Sequence, residues 1–211
     1  MRRRLILATR SADKAREIHE ILAPRYPHAI VTLSDAGVAE DTAENDIEIF
    51  DSFLDNAHAK ADYFLRLTGS PTIADDSGIS VDALGGAPGV HSRRFAQRTD
   101  LSGVALDHAN NERLLRELEA SSAALRSAHY TCAAVLHLPD GRRFAALGTC
   151  SGSILHQPRG SHGFGYDPLF QVVHTGRTFG EMSGAEKHRY SHRARAFRAL
   201  ASVIDHSSVS R

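Results

Sequence analysis

Two adjacent carboxylates behind an apolar run are the first residues that suggest chemistry. The segment Ile73-Ala-Asp-Asp-Ser-Gly-Ile-Ser-Val-Asp82 sets Asp75 and Asp76 at the end of a short apolar strand. Side chains alternate along a strand, so the two face opposite ways unless the chain turns there. One can then hold a metal or a water while the other supports the loop. A buried carboxylate is costly without a partner, and a magnesium ion would supply one. Asp-Ser-Gly is also good turn chemistry, so a solvated strand-to-turn junction accounts for the same residues.

Four further segments carry polar groups at useful spacing. Ala8-Thr-Arg-Ser-Ala-Asp-Lys14 leaves a first strand and opens a helix. Hydroxyls at Thr9 and Ser11, backbone donors at the helix start and the Lys14 ammonium suit a phosphate chain. Helix capping by Ser11 explains part of that pattern without a ligand. Glu48, Ser52, Asn56 and Lys60 recur every four residues as a polar stripe on a long helix, with a solvent-facing side as the plainer reading. In Ser161-His-Gly-Phe-Gly-Tyr-Asp-Pro168 the glycines permit close backbone approach. Phe164 there can stack on a base, and Tyr166 and Asp167 can set the loop or contact a ligand. Ser183 and Glu186 have capping-box spacing in Ser183-Gly-Ala-Glu-Lys-His-Arg-Tyr-Ser-His-Arg193. His188 and His192 lack a third zinc ligand, so Lys187, His192 and Arg193 read as donors for a phosphate or a base carbonyl.

The lysines link these segments. Of 25 basic residues only three are lysine, and Lys14, Lys60 and Lys187 each fall inside one of the five segments. Surface charge does not require that choice. A compact ammonium with three rotatable donors differs from a planar guanidinium, and a phosphate cradle can require it. The expectation is that these ammonium groups and acids converge on one polyanion and its divalent counterion.

The elements that must position them follow from periodicity. Leu5 to Thr9 reads as a strand, Ala12 to Leu22 as a helix, and Ala29 to Leu33 as a second strand. A helix is expected over Ile47 to Leu67, then strands at Thr72 to Asp75 and Ile79 to Leu84, and a helix through Leu114 and Leu118. Pro139-Asp-Gly141 turns a hairpin between Cys132–Leu138 and Arg143–Ser151. Leu169 to Val173 reads as a last strand and the C-terminus as a helix. A hairpin beside βα units argues for an α/β fold with a mixed sheet.

Taken in order, these segments resemble the inosine triphosphatase, or HAM1-like, family of house-cleaning purine triphosphate pyrophosphatases. The resemblance covers nearly the whole chain. Its most specific parts run from Ala74 to Ala96, Gly163 to Phe170 and Glu186 to Arg193, with Phe53 to Ala61 matching the family's helix motif. It implies one domain over residues 1–211, a long mixed sheet flanked by helices in two lobes with a central cleft, as a homodimer. It implies Mg2+-dependent conversion of inosine, deoxyinosine or xanthosine triphosphate to the monophosphate and pyrophosphate. By position, Asp76 would be general base and metal-linked carboxylate, Glu48 a metal ligand, Asp75 a supporting acid and Lys60 a charge neutraliser. Thr9, Arg10, Ser11, Ala12, Asp13, Lys14 and Ser77 would hold phosphates. Phe164, Gly165, Tyr166, Asp167, Lys187, His192 and Arg193 would line the nucleotide site.

The chain departs from that pattern at Ser11 and Asp13, where the family has asparagine and glycine. Around Glu48, Glu-Ile-Phe replaces Glu-Thr-Gly, which makes Glu44 a rival metal ligand. Leu5-Ile-Leu-Ala-Thr9 also resembles the opening of Maf-type pyrophosphatases, which the later segments fit poorly. A pathway-specific pyrophosphatase with another base preference and a non-catalytic nucleotide-binding protein are the other readings.

Composition narrows the class. Formal net charge is +0, hydrophobic residues make up 42% and charged residues 24%, so a general nucleic-acid or acidic-membrane binder is not expected. The basic start is followed by an apolar stretch too short for a signal-peptide core, and no run would span a bilayer, so the cytoplasm is expected. Cys132 and Cys150 read as buried thiols.

Overall fold

The computed structural model describes residues 4–26, 30–119 and 126–206, with side chains described up to residue 203. Six strands form one sheet in the order β2-β1-β3-β4-β5-β6. They are β1 (Leu5–Leu7), β2 (Ile30–Thr32), β3 (Thr72–Val81), β4 (Ser127–His137), β5 (Arg143–Ile154) and β6 (Phe170–Val172). The helices are α1 (Ala12–Leu22), α2 (Phe53–Thr68), α3 (Gly103–Glu119), α4 (Gly184–Tyr190) and α5 (His192–His206). The sheet is mixed, as expected: β1 runs parallel to β2 and β3, while β5 and β6 are antiparallel. Leu138 and Arg142 close the expected turn between β4 and β5, with Gly141 at φ 89°. Ala29, expected in the second strand, lies outside the described residues.

The chain divides into two compact units, and the division falls within β3, β4, β5 and the start of α5. The first comprises residues 1–76, 132–148 and 193–211; the second comprises 77–131 and 149–192. In the first unit, α1 and α5 bury Ile18, Leu22, Phe197 and Leu200 with Leu5, Leu7 and Ile73. The alternate strand residues Ile6, Ala8 and Ala74 pack with Ala57, Ala61 and Phe64 of α2. Period-two alternation in β1 and β3 therefore feeds two apolar layers. In the second unit, Leu114 and Leu118 of α3 pack with Ile79, Val81, Tyr130, Phe170 and Phe179.

Two expected elements differ. The helix expected over Ile47 to Leu67 begins only at Phe53, because Ser52 accepts a hydrogen bond from the Asp55 amide and caps it. Glu48 thus lies in a loop, and the four-residue stripe is not helical along its whole length. The two strands expected around Asp75 are one continuous β3, so no turn interrupts the acidic pair. Local turn chemistry at Asp-Ser-Gly yields to the strand: β1 pairs with β3 only as far as Ile73, and β3 runs on with β4 as its other neighbour.

His137 closes β4 fully buried, with Nδ1 2.8 Å from Asp62 Oδ1 and Nε2 2.7 Å from His58 Nδ1. Burial depresses its pKa, reinforced by His58 and Arg143 and opposed by Asp62. The unfolded chain therefore binds a proton at this histidine before the folded chain does. The stability in question is present above the ordinary histidine range and is lost as pH falls through the folded pKa. Urea unfolding midpoints should drop between pH 8 and pH 5, with a smaller drop in His137→Gln. An equal drop in both proteins would remove His137 from the cause.

Candidate active site

The first cluster arises where β1 ends and β3 continues. Leu7 pairs with Ile73, and the Ala8 amide donates to the Ile73 carbonyl at 2.8 Å. Beyond that point β1 turns into α1, and Asp75 and Asp76 follow on β3. With β2 on one side of β1 and β3 on the other, this is a topological switch point, where open α/β sheets place ligands. Ser11 caps α1, its hydroxyl accepting from the Lys14 amide at 3.3 Å, while Thr9 Oγ1 accepts from the Ser11 amide at 3.2 Å. Asp13 pairs with Arg16 at 2.6 Å in the first turn of α1, where a carboxylate suits the helix dipole. Ala12 is exposed there.

Arg10 has protein partners. Its guanidinium makes two bonds to Glu44, at 2.9 and 2.6 Å, and donates to the Val38 and Ala39 carbonyls. Glu44 in turn accepts from the Asp41 amide at 3.3 Å, closing a capping box over a 3-10 turn at Thr42–Asp46. Arg10 therefore fastens that turn to the end of β1, and Glu44 is its anchor.

Asp75 and Asp76 lie on opposite faces of β3, as alternation requires. Asp75 is fully buried on the α1 and α5 side. Its Oδ2 lies 3.4 Å from Arg193 Nε, 3.5 Å from Lys14 Nζ and 3.8 Å from Cys132 Sγ. Arg193 Nη1 also bonds Glu17 Oε2 at 2.5 Å. The Arg193 guanidinium, expected at a nucleotide, is thus buried between two carboxylates. Burial alone would depress its pKa, but Glu17 and Asp75 raise it, so it stays charged. The Cys132 thiol is pushed up by burial and by Asp75, so it stays protonated.

Asp76 lies on the α2 side, where Oδ2 accepts from Asn56 Nδ2 at 3.0 Å. Lys60 donates to the Asp75 carbonyl at 2.8 Å and pairs with Glu48. Burial pushes the Asp76 carboxyl above the usual range, and Glu48 adds to it, against the pull of Lys14 and Lys60. Burial also pushes Glu48 up, but there Lys60 and Lys14 prevail and hold it below the usual range. Lys60 is depressed by burial and raised further by Glu48, Asp75 and Asp76, so the ammonium persists. Two neighbouring acids thus differ: Glu48 is a firm anion and Asp76 a stronger base. Such separation is how acid and base roles are assigned within one site.

The donor chemistry here fits magnesium. Glu48 and Asp76 are hard oxygen donors, and magnesium binds through one or two carboxylates plus phosphates and waters. Among the described residues no three histidine, cysteine, aspartate or glutamate side chains gather into a metal cage.

The second cluster lies in the second unit. Asp167 is buried and accepts from Lys187 Nζ at 2.5 Å and from the Phe164 amide at 2.9 Å. A Cβ on Gly163, at φ 76°, would stand 2.0 Å from the Asp167 carboxylate, so only glycine admits this closure. The Lys187 ammonium lies 4.9 Å from the Phe164 ring centre and 5.3 Å from that of Phe179, a cation–π site. The Gly165 amide donates to Asp107, and its carbonyl accepts from Asn111. Tyr166 is buried, its hydroxyl donating to the Ser92 carbonyl at 2.8 Å; burial raises its pKa, so it sets the loop as a neutral phenol. Ser191 separates α4 from α5, so His188 and His192 do not share one helix. The His192 ring stacks on Tyr130 at 4.4 Å and 4°. Ser77 follows Asp76 on β3, half-buried.

Residues 5–203 match the Ham1 family. The chain belongs to that family. Among Ham1-like relatives, the dITP/XTP pyrophosphatase of Streptomyces avermitilis is 43% identical over 202 residues, 95% of this chain and 96% of that protein. The dITP/XTP pyrophosphatase of Thermus thermophilus is 43% identical over 197 residues, 93% of this chain and 89% of that protein. A solved HAM1 protein from Coxiella burnetii superposes with a TM-score of 0.82 at 32% identity, covering 96% of this chain and 98% of that one.

Sequence reasoning missed some residues of this Ham1-family site. Glu17 lies next to the apolar stripe of α1, and a buried charge there signals a buried partner. That partner is 176 residues away, so spacing could not name it. Tyr130 and Asp107 gave no sequence signal. Removing one partner of a buried ion pair costs about 3–5 kcal/mol. Glu17→Gln should therefore lower the unfolding free energy read from urea titration by a comparable amount, and an unchanged value would contradict the pairing of Glu17 with Arg193.

Proposed function

We propose that this chain is a magnesium-dependent pyrophosphatase acting on non-standard purine nucleoside triphosphates, chiefly those of inosine, deoxyinosine and xanthosine. The observation that carries the reading is the meeting of Lys14, Lys60, Glu48, Asp75 and Asp76 in one unit. The names of the relatives support the substrate class.

Lys14 and Lys60 offset the charge of the triphosphate, with the hydroxyls of Thr9 and Ser11 and the amides of the α1 start as donors. Asp76, held as the stronger base, takes a proton from the attacking water. The water oxygen bonds phosphorus, the α–β anhydride link opens, and pyrophosphate departs with the bonding electron pair. Glu48 and Asp76 would hold magnesium, which when bound supplies charge to the phosphate oxygens. Arg193 acts through Asp75. Recognition of the base falls to Phe164 as a stacking surface and to Lys187 and His192, whose donors suit a six-keto purine. Adenine presents an amino group at that position and leaves buried donors unpaired. We place this activity in the cytoplasm, in a homodimer; light scattering at a subunit mass of 23.0 kDa measures the latter.

A panel of purine and pyrimidine triphosphates, assayed for pyrophosphate and monophosphate with and without magnesium, tests the reading. Equimolar monophosphate and pyrophosphate from inosine or xanthosine triphosphate are expected, at least ~10²-fold ahead of ATP, and lost on chelation. Pyrimidine preference, release of inorganic phosphate or no turnover would each overturn it. Lys60→Arg should lower turnover by about 10²-fold, since a planar guanidinium cannot replace the ammonium between Glu48 and the Asp75 carbonyl. Unchanged turnover would remove Lys60 from the mechanism.

A further inference from the structure

The loop that carries Glu48 presents a mechanical problem. It precedes the capped start of α2, and its large side chains do not hold it down: Ile49 is 67% exposed and Phe50 45%. Ile47, before Glu48, is buried against the α2 layer. After Glu48 the anchor is backbone. The Phe50 amide donates to Asn56 Oδ1 at 2.9 Å, and Asn56 Nδ2 donates to the Phe50 carbonyl at 3.0 Å. Asn56 is fully buried on the first turn of α2. Its Nδ2 makes a third bond, to Asp76 Oδ2.

Pinning the loop needs only the two bonds to Phe50. The third couples that pin to the carboxylate on β3. One amide thereby fixes the loop two residues after Glu48 and also orients Asp76. We infer that Asn56 is a positioning residue that sets the spacing and orientation of the Glu48 and Asp76 carboxylates for a divalent cation. It touches neither substrate nor metal in this role. The inference rests on the proposed metal-dependent function, and it assigns a part to a side chain on a stripe that otherwise reads as a solvent face. It also accounts for Glu-Ile-Phe in place of the family's Glu-Thr-Gly. Because position 50 is held through its peptide, with the side chain largely outward, the larger residues leave the anchor intact.

The test measures cation binding without turnover. Manganese is titrated by electron paramagnetic resonance into the full-length wild type, Asn56→Ser, Asn56→Asp, Asp76→Asn and the Asn56→Ser/Asp76→Asn double variant, with thermal unfolding in parallel. Loss of an outer partner typically weakens metal binding 10–100-fold. Asn56→Ser should weaken manganese binding by about tenfold or more. Asn56→Asp keeps an acceptor for the Phe50 amide but cannot donate to Asp76, so it should weaken binding in a folded protein. Adding Asn56→Ser to Asp76→Asn should weaken binding less than Asn56→Ser does alone, because the bond it breaks is already altered. Wild-type affinity in both Asn56 single variants, or full additivity in the double variant, would overturn the assignment. Absence of manganese binding to wild type would instead bring down the metal reading itself and this inference with it.

Discussion

Everything at the first cluster depends on the division of two consecutive carboxylates between the faces of one strand. On the α1 and α5 side, Asp75 meets Lys14 and an Arg193 already held by Glu17. On the α2 side, Asp76 meets Asn56, with Glu48 and Lys60 near. Burying either charge alone would be prohibitive. The first is compensated by a permanent cation and becomes part of the scaffold. The second is compensated incompletely, and its raised pKa records the remainder. In the function proposed above, a divalent cation would offset that remainder.

The scaffold follows from that constraint. β1 must stop short of Asp75 for α1 to begin beside it, which brings the Ser11 cap and Lys14 to the acids. Lys60 is on α2, two turns into a helix whose start is fixed by Ser52. Its contacts to Glu48 and to the Asp75 carbonyl tie loop, helix and strand together. The second cluster repeats the logic with different groups: Asp167 gathers Lys187 and a backbone amide, and Gly163 clears the space.

Much of this was legible in the sequence because it is local. α1 has the bounds its apolar spacing gave, the hairpin turns at Pro139-Asp-Gly141, and Ser183 caps α4 through the Glu186 amide. The lysine scarcity pointed to residues that are buried or partly buried ion-pair partners, two of them meeting in the first unit and Lys187 closing on Asp167 in the second. What failed was nonlocal or a contest between patterns. Glu48 continued a four-residue period, but a serine cap outweighed it and the helix began later. Asp-Ser-Gly looked like a turn, but pairing kept β3 straight. Arg193 looked like a ligand donor because a positive charge in a motif says nothing of a glutamate near the other end of the chain. Asp13, where the family has glycine, pairs with Arg16 one turn on.

A paired comparison of Asp75→Asn and Asp76→Asn, each measured for unfolding free energy and for turnover of inosine triphosphate, tests the central division most directly. Asp76→Asn should keep its stability and lose at least ~10²-fold in turnover, the share of a general base. Asp75→Asn should lose about 3–5 kcal/mol of stability, because it strips a partner from buried Arg193. A stable, fully active Asp76→Asn protein, or an Asp75→Asn protein with unchanged stability, would contradict the account.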